Sequence, residues 1–289
     1  MRIAIIHTRL RVEERHLADA LLARGAEVDL VELRDVVFDP REAGKWREYD
    51  LVLDRALSLT SSLTAVRMLE HLRVACLNRS EAIELCSDKL RTSLALEAAN
   101  VPTPRTLVAT SAEGALLAIE RMGYPAVLKP TIGSWGRLVS RVNDRDAAEA
   151  IVEHRDTLGG VQHHVYYVQE HIDKPGRDIR VFVVGGRVIA GITRSSSHWV
   201  TNTARGATAA GLDVPADLAQ ICVNAAACVR ADICAIDVLE CPRHGYLVNE
   251  INHSMEFRNS IITSGVDIPG LVADHAMLVA ARGATEVAR

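Results

Sequence analysis

Glu250 and Asn252 stand two residues apart in Tyr246-Leu247-Val248-Asn249-Glu250-Ile251-Asn252, a segment that reads as a β-strand. Alternate residues of a strand point the same way, so two oxygen-bearing side chains project from one face of an apolar anchor. A third acid, Asp237, ends the apolar run that begins at Ile233, and the stretch containing Pro242 and Gly245 can turn the chain back as a hairpin. That turn would bring Asp237 beside Glu250. Hard oxygen ligands held together suit Mg²⁺, which takes one or two carboxylates and completes its shell with water and substrate phosphate. Taken alone, the trio also fits a solvent-facing strand edge.

Four further segments carry chemistry. Lys129 ends a buried strand and is followed by Pro130-Thr131-Ile132-Gly133-Ser134-Trp135-Gly136-Arg137. Glycines let backbone N–H groups approach phosphate oxygens, and a lysine supplies a point charge. The order differs from that of a P-loop, in which the lysine follows the glycines. Gln169-Glu170-His171-Ile172 ends another strand and turns into a linker, where exposed peptide groups can pair with a purine edge. Asp178 and Arg180 share a face of the next strand, an acid for ribose hydroxyls and an arginine for phosphate. A surface ion pair would look the same. Ser195 to Gly206 reads as a polar loop whose Arg205 could stabilise charge on a transferring phosphoryl group.

The elements that must position these residues begin with alternating strands and helices over the first 85 or so residues, which argues for a parallel sheet flanked by helices. No G-x-G-x-x-G follows the first strand, so a dinucleotide site of the usual kind is not expected. A helix is expected over 13–24, closed by Gly25, and another over 88–99 with Ser87 as its cap. Val101 to Arg105 is the linker candidate. Residues 106–170 then read as a small α+β unit. Beyond them come a hairpin at Gly185-Gly186, a helix over 218–229, the strands of Asp237 and Glu250, and a last helix from about Pro269 to Ala281.

The chain has 289 residues, 48% hydrophobic and 24% charged, enough for two or more joined units with a largely aliphatic core, since aromatics are only 4%. A formal net charge of −4 argues against bulk nucleic-acid binding. No apolar stretch approaches the roughly 20 residues that span a bilayer. Met1 to His7 reads as a buried first strand rather than a signal peptide, so a cytoplasmic setting is expected. Cys76, Cys86, Cys222, Cys228, Cys234 and Cys241 form no C-x-x-C pair and read as small apolar fillers.

Taken in order, Lys89, Lys129, the glycine loop, Gln169-Glu170, Asp178 with Arg180, Arg205, Asp237 and Glu250 with Asn252 resemble the ATP-grasp ligases. The blocks Leu128–Arg137, Lys174–Arg180, His198–Gly206 and Val248–Phe257 are similar to the LysX and RimK types, over nearly the whole length. The resemblance implies an α/β chain with an ATP-grasp fold behind a small parallel-sheet, Rossmann-like domain. Its parts would be an N-terminal domain over 1–85, a central subdomain with a glycine-rich lid loop over 86–170, and a metal-bearing C-terminal subdomain over 171–289.

It further implies a ligase using ATP and Mg²⁺. A carboxylate on the C-terminal glutamate of a small acidic amino-group carrier protein would be phosphorylated. The amine of a free amino acid, α-aminoadipate or a relative, would then attack the acylphosphate. Lys89, Lys129, Gly133, Ser134, Trp135, Gly136, Arg137, Gln169, Glu170, His171, Ile172 and Asp178 would hold nucleotide, and Asp237, Glu250 and Asn252 the metal. Arg205 and Arg180 would serve the transferred group, and Arg194, Ser195, Asn202, Arg258, Asn259, Thr263 and Ser264 the amino acid.

Two departures from the family pattern stand out: Ser195 where a second arginine follows Arg194, and Ile262 where a histidine is expected. They suggest a less cationic amino-acid pocket that takes α-aminoadipate weakly. A RimK-like glutamate ligase acting on another peptide is the alternative enzyme, and a nucleotide-binding scaffold the non-enzymatic one. A homo-oligomeric state is expected.

Overall fold

The computed structural model describes residues 1–133, 137–199, 201 and 206–287. The N-terminal unit contains β1 (Arg2–His7), α1 (Val12–Leu22), β2 (Glu27–Glu32), β3 (Leu51–Asp54), α2 (Leu59–His71) and β4 (Cys76–Leu77). Its sheet runs β2-β1-β3-β4 and every pair is parallel. Gly25, at φ +79°, ends the α1 turn in the left-handed conformation that glycine adopts without cost.

Two helices follow, α3 (Ser80–Ser87) and α4 (Lys89–Ala98). The helix expected over 88–99 is α4, its cap one residue later than Ser87, and α3 is an additional helix before it. The α4 cap is Asp88, whose carboxylate accepts from the Leu90 and Arg91 amides. Sequence reading missed α3 because its polar and apolar residues give no long periodic run.

The central unit is β5 (Thr106–Ala109), α5 (Ala112–Met122), β6 (Ala126–Lys129), β7 (Ser140–Val142), α6 (Arg145–Leu158) and β8 (Tyr166–Glu170), with an antiparallel sheet β5-β8-β6-β7. The C-terminal unit is β9 (Arg177–Val184), β10 (Arg187–Ser195), β11 (Thr208–Gly211), α7 (Ala216–Cys228), β12 (Ile233–Cys241), β13 (Gly245–Asn252), α8 (Arg258–Ser264) and α9 (Ile268–Val287). Its sheet runs β11-β10-β9-β12-β13, antiparallel throughout. Strand β11 and helix α8 carry no strong periodicity and were not expected from sequence.

Both faces of the C-terminal sheet are covered where Val181, Phe182, Val183 and Val184 make the second half of β9 a continuous apolar run. Ile179 and Val181 of β9 pack with Leu218 and Cys222 of α7, and with Leu96 of α4. Helix α4, expected with the central unit, therefore packs on the C-terminal sheet. On the other face Phe182 and Val184 join Ile3, Ile5, Leu17 and Leu21 of the N-terminal unit and Ile268, Val272 and Ala276 of α9 in one core. The same face of β9 ends in Arg180 and Asp178. A strand anchored by Phe182 thus carries charges two residues further on, outside the apolar zone.

All six cysteines are free thiols, and all but Cys228 are buried. Burial pushes the Cys222 thiol up to about 12 and Cys228 up to about 11, which fits their expected role as inert fillers. Among the described residues no helix is long and apolar enough to cross a membrane.

Because the N-terminal and C-terminal units share one core, they are expected to unfold together. Phe182→Ala should cost about 3–5 kcal/mol. In denaturant titrations it should shift a single transition for both units, and two separated transitions would show that the units are independent.

Candidate active site

A cleft of about 1280 Å³ is lined by residues of all three units. One wall comes from the central sheet. Lys129, at the end of β6, donates to Gln169 Oε1 at 2.6 Å and Asn249 Oδ1 at 2.9 Å. Gln169 in turn donates to the Tyr167 hydroxyl at 3.2 Å. Burial pushes the Lys129 ammonium down to about 8, while Glu250 opposes that shift. Lys89, the first residue of α4, donates to the Gly133 carbonyl at 2.6 Å and lies 3.5 Å from Glu250 Oε1. Two lysines thus converge on the glycine loop, one buried and one tethered. His171 and Ile172 have left the sheet and line the cleft outside the strand pairing, the Ile172 carbonyl accepting from the Lys174 amide at 3.0 Å.

The opposite wall is the face of the C-terminal sheet. Register sets Arg180, Asp237 and Glu250 directly across from one another on β9, β12 and β13, as the hairpin expectation required. Arg194 on β10 faces Asp178. Arg180 Nε and Nη2 donate to the two Asp237 oxygens at 2.7 and 2.8 Å. Arg194 Nε donates to Asp178 Oδ1 at 2.6 Å, and its Nη2 lies 3.1 Å from Asp237 Oδ1. Thr201 donates to Asp178 Oδ2, and Lys174 Nζ lies 3.6 Å from that oxygen. Burial alone would push the Asp237 carboxyl up, but Arg180 and Arg194 more than offset it and hold it well below the usual range. For Asp178 burial wins, and its carboxyl is raised.

Two of the expected contacts are engaged within the protein. Asp178, which lines the cleft, has its oxygens partnered by Arg194, Thr201 and Lys174. Arg194 is 4% exposed and its guanidinium meets Asp178 and Asp237.

Asp237, Glu250 and Asn252 share the face, as expected of metal ligands. Asp237 is already neutralised by two guanidinium groups, and Glu250 has Lys89 nearby. Among the described residues no group of three His, Cys, Asp or Glu side chains could hold a metal. A divalent ion here must therefore use two carboxylates, the Asn252 amide, water and substrate oxygens, a set that suits Mg²⁺. The Asn252 amide nitrogen is buried without a hydrogen-bond partner; as a donor it would be satisfied by an acceptor oxygen such as that of a phosphate, while its Oδ1 would face a cation.

Strand alternation alone would turn Asn249 away from Glu250. A register shift between Asp237 and Val238 instead sets Glu250 opposite Asp237 and Val248 opposite Val238, so Asn249 is an extra, bulged residue. The bulge aims it into the cleft, onto Lys129. Nothing in the sequence marked it.

Gly133, Arg137, Glu170, Arg258 and Asn259 also line the cleft. Ser195, Thr263 and Ser264 do not. Thr263 and Ser264 turn their hydroxyls back onto the Asn259 and Ser260 carbonyls of their own helix, and Ile262 is 90% exposed on its outer face. The expectation that Ile262 shapes the amino-acid pocket is therefore withdrawn. Ser134, Trp135, Gly136, Asn202 and Arg205 lie outside the described residues.

Sequence reading also missed the third wall. Arg11 follows β1, and Ala56 and Leu57 follow β3. In the order β2-β1-β3-β4 the chain goes to opposite sides from β1 and β3, and crevices at the carboxyl ends of such strands are where ligands bind open parallel sheets.

The lysine wall makes a pH prediction. In the folded chain Lys129 titrates near 8, below its unfolded value of 10.5, so its burial costs stability below pH 8 and that cost fades as pH rises from 8 towards 10.5. A bound polyphosphate restores the charged form. Calorimetric titration with tripolyphosphate at pH 8, in buffers of different ionisation enthalpy, should show uptake of about half a proton. The uptake should vanish near pH 6.5. No uptake at pH 8 would remove Lys129 from phosphate contact.

Comparison with known proteins agrees with this architecture. Residues 86–275 match the RimK-like ATP-grasp domain and residues 3–85 the LysX preATP-grasp domain. The glutamate–LysW ligase ArgX of Sulfurisphaera tokodaii is 34% identical over 93% of this chain and 95% of its own length. The α-aminoadipate–LysW ligase LysX of the same organism is 31% identical over 93% and 95%. The crystal structure of a RimK domain ATP-grasp protein from Sphaerobacter thermophilus superposes with a TM-score of 0.81 at 31% identity, covering 96% of this chain and all of that one. The chain belongs to the RimK-like ATP-grasp family, carries that family's LysX-type N-terminal domain, and is a ligase.

Proposed function

We propose that this ligase uses ATP to activate the C-terminal glutamate of a small acidic amino-group carrier protein and joins it to the amine of a free dicarboxylic amino acid, α-aminoadipate or a relative such as glutamate. One observation carries the reading. Lys89 and Lys129 face a row of metal-type oxygens, Asp237, Glu250 and Asn252, across a single cleft. The relatives named as LysW ligases support the carrier and the substrate class.

In this reading His171 and Ile172 offer peptide groups to adenine, and Lys89 and Lys129 hold phosphate oxygens. Mg²⁺ bound at Asp237, Glu250 and Asn252 would neutralise charge on the triphosphate. A carboxylate oxygen of the carrier attacks the terminal phosphorus; the new O–P bond forms as the bond to ADP breaks. The amine nitrogen then attacks the acyl carbon, a C–N bond forms, phosphate leaves and the nitrogen sheds a proton. Cations set where charge develops lower such barriers without reorganisation. Arg180 sits beside the metal-type acids for this purpose, and the resemblance gives Arg205 the same role. Arg258 lines the cleft without an ion-pair partner among the described residues, which suits a carboxylate-bearing amino acid.

Glu250→Ala removes an oxygen donor from a strand held by its apolar neighbours. Ligation should fall by about 100-fold or more, with the unfolding transition little changed. Retained turnover at ordinary Mg²⁺ would overturn the metal assignment. The substrate test is a panel of amino acids incubated with purified carrier and Mg-ATP, scored by carrier mass. Gain of one glutamyl or aminoadipyl residue is expected. An unmodified carrier together with a modified peptide acceptor would favour the RimK-like alternative.

A further inference from the structure

Strand β13 ends at Asn252, and the next regular element, α8, begins at Arg258. The strap between them, 253–257, brings His253, Ser254 and Glu256 to the cleft and leads directly into Arg258 and Asn259. It is held from the N-terminal unit at nearly every step. Asn78 Nδ2 donates to the His253 carbonyl at 2.8 Å and also to the Ile233 carbonyl at 2.7 Å. Arg55 Nη2 donates to the Met255 carbonyl at 3.0 Å. Arg11 Nη1 donates to Glu256 Oε1 at 3.2 Å, and Glu13 Oε1 accepts from the Arg258 amide at 3.3 Å.

Arg55 is the centre of this clamp. It is 5% exposed, and its Nε donates to Glu14 Oε1 at 3.1 Å. Glu14 is itself fully buried and held by Arg11. The Arg55 guanidinium also lies 5.9 Å from the Phe257 ring centre. One planar fork therefore reaches a fixed carboxylate on one side and the strap on the other, a task a lysine cannot perform.

We propose that Arg55 is a positioning residue for the second substrate. Through the Met255 carbonyl it fixes the strap that presents Arg258 and Asn259, and so makes the N-terminal unit part of the amine-binding end of the cleft. The nucleotide end is built by the sheet ladders and does not depend on it. The inference rests on the ligase reading only for the name of the second substrate.

The test is Arg55→Lys, which keeps the buried charge beside Glu14 but loses the planar fork that spans from Glu14 to the Met255 carbonyl. Amide exchange in the unliganded protein should quicken across 253–258 while β9 and β12 stay protected. KM for the amino acid should rise about 10-fold or more, with KM for ATP within about 2-fold. Unchanged exchange in the strap, or equal movement of both KM values, would overturn the proposal. If Arg55→Lys does not fold, Arg55→Met with Glu14→Gln removes both buried charges and is read in the same two ways. Exchange needs no substrate. A wild-type protein that ligates no amino acid would sink the ligase reading, and the strap would still be judged by exchange.

Discussion

Asp178, Arg180, Arg194 and Asp237 form a charge cluster on a sheet face where no member can be left alone. Removing one partner of such a buried pair costs about 3–5 kcal/mol, because the survivor keeps its desolvation without its compensation. The cluster therefore fixes the register of β10, β9 and β12 as firmly as the apolar residues beneath it. Glu250 and Asn252 sit on the next strand of that ladder, so the oxygens that could meet a metal inherit their spacing from the ion pairs. With Asp237 neutralised by two guanidinium groups and Glu250 near Lys89, the acids are tolerated in the free protein. In the proposed function an arriving triphosphate would offer those cations new partners and would free the carboxylates for an ion, coupling metal to nucleotide through ordinary electrostatics.

The cleft and the rest of the surface have opposite character. The chain as a whole carries a formal charge of −4. The cleft is lined by nine lysines and arginines against six carboxylates. A concave wall with an excess of cations concentrates field in its opening and favours anions there. An acidic protein would be repelled by the general surface and guided to this one opening.

The N-terminal unit is more than a mount for the ATP-grasp subdomains. Its sheet shares a core with β9 and α9, and the loops after β1 and β3 supply a cleft wall. Catalytic geometry tolerates little displacement, and a wall built by two packed units moves only if their common core moves.

The amino-acid sequence by itself determined the local facts. Continuous apolar runs made β6, β8 and β9 buried strands, and Pro242 and Gly245 turned Asp237 back against Glu250. Lys129 and the carboxylates could be named because chemistry-bearing side chains at strand ends are rare in such runs, and Lys89, which opens α4, was named through the family resemblance. The tertiary structure decided what those side chains meet. Asp178 meets Arg194, because a partner 16 residues away on β10 lies opposite it. Asn249 entered the cleft through a bulge that no periodicity announces. Ile262 lies away from the cleft because α8 turns it outward. Arg11 and Arg55 joined the site from strand ends roughly 200 residues distant in sequence, as in the contact of Arg55 with Met255. Sequence periodicity reports which face of an element is apolar. It carries no term for which elements face each other across a gap, and burial of charge is settled only there.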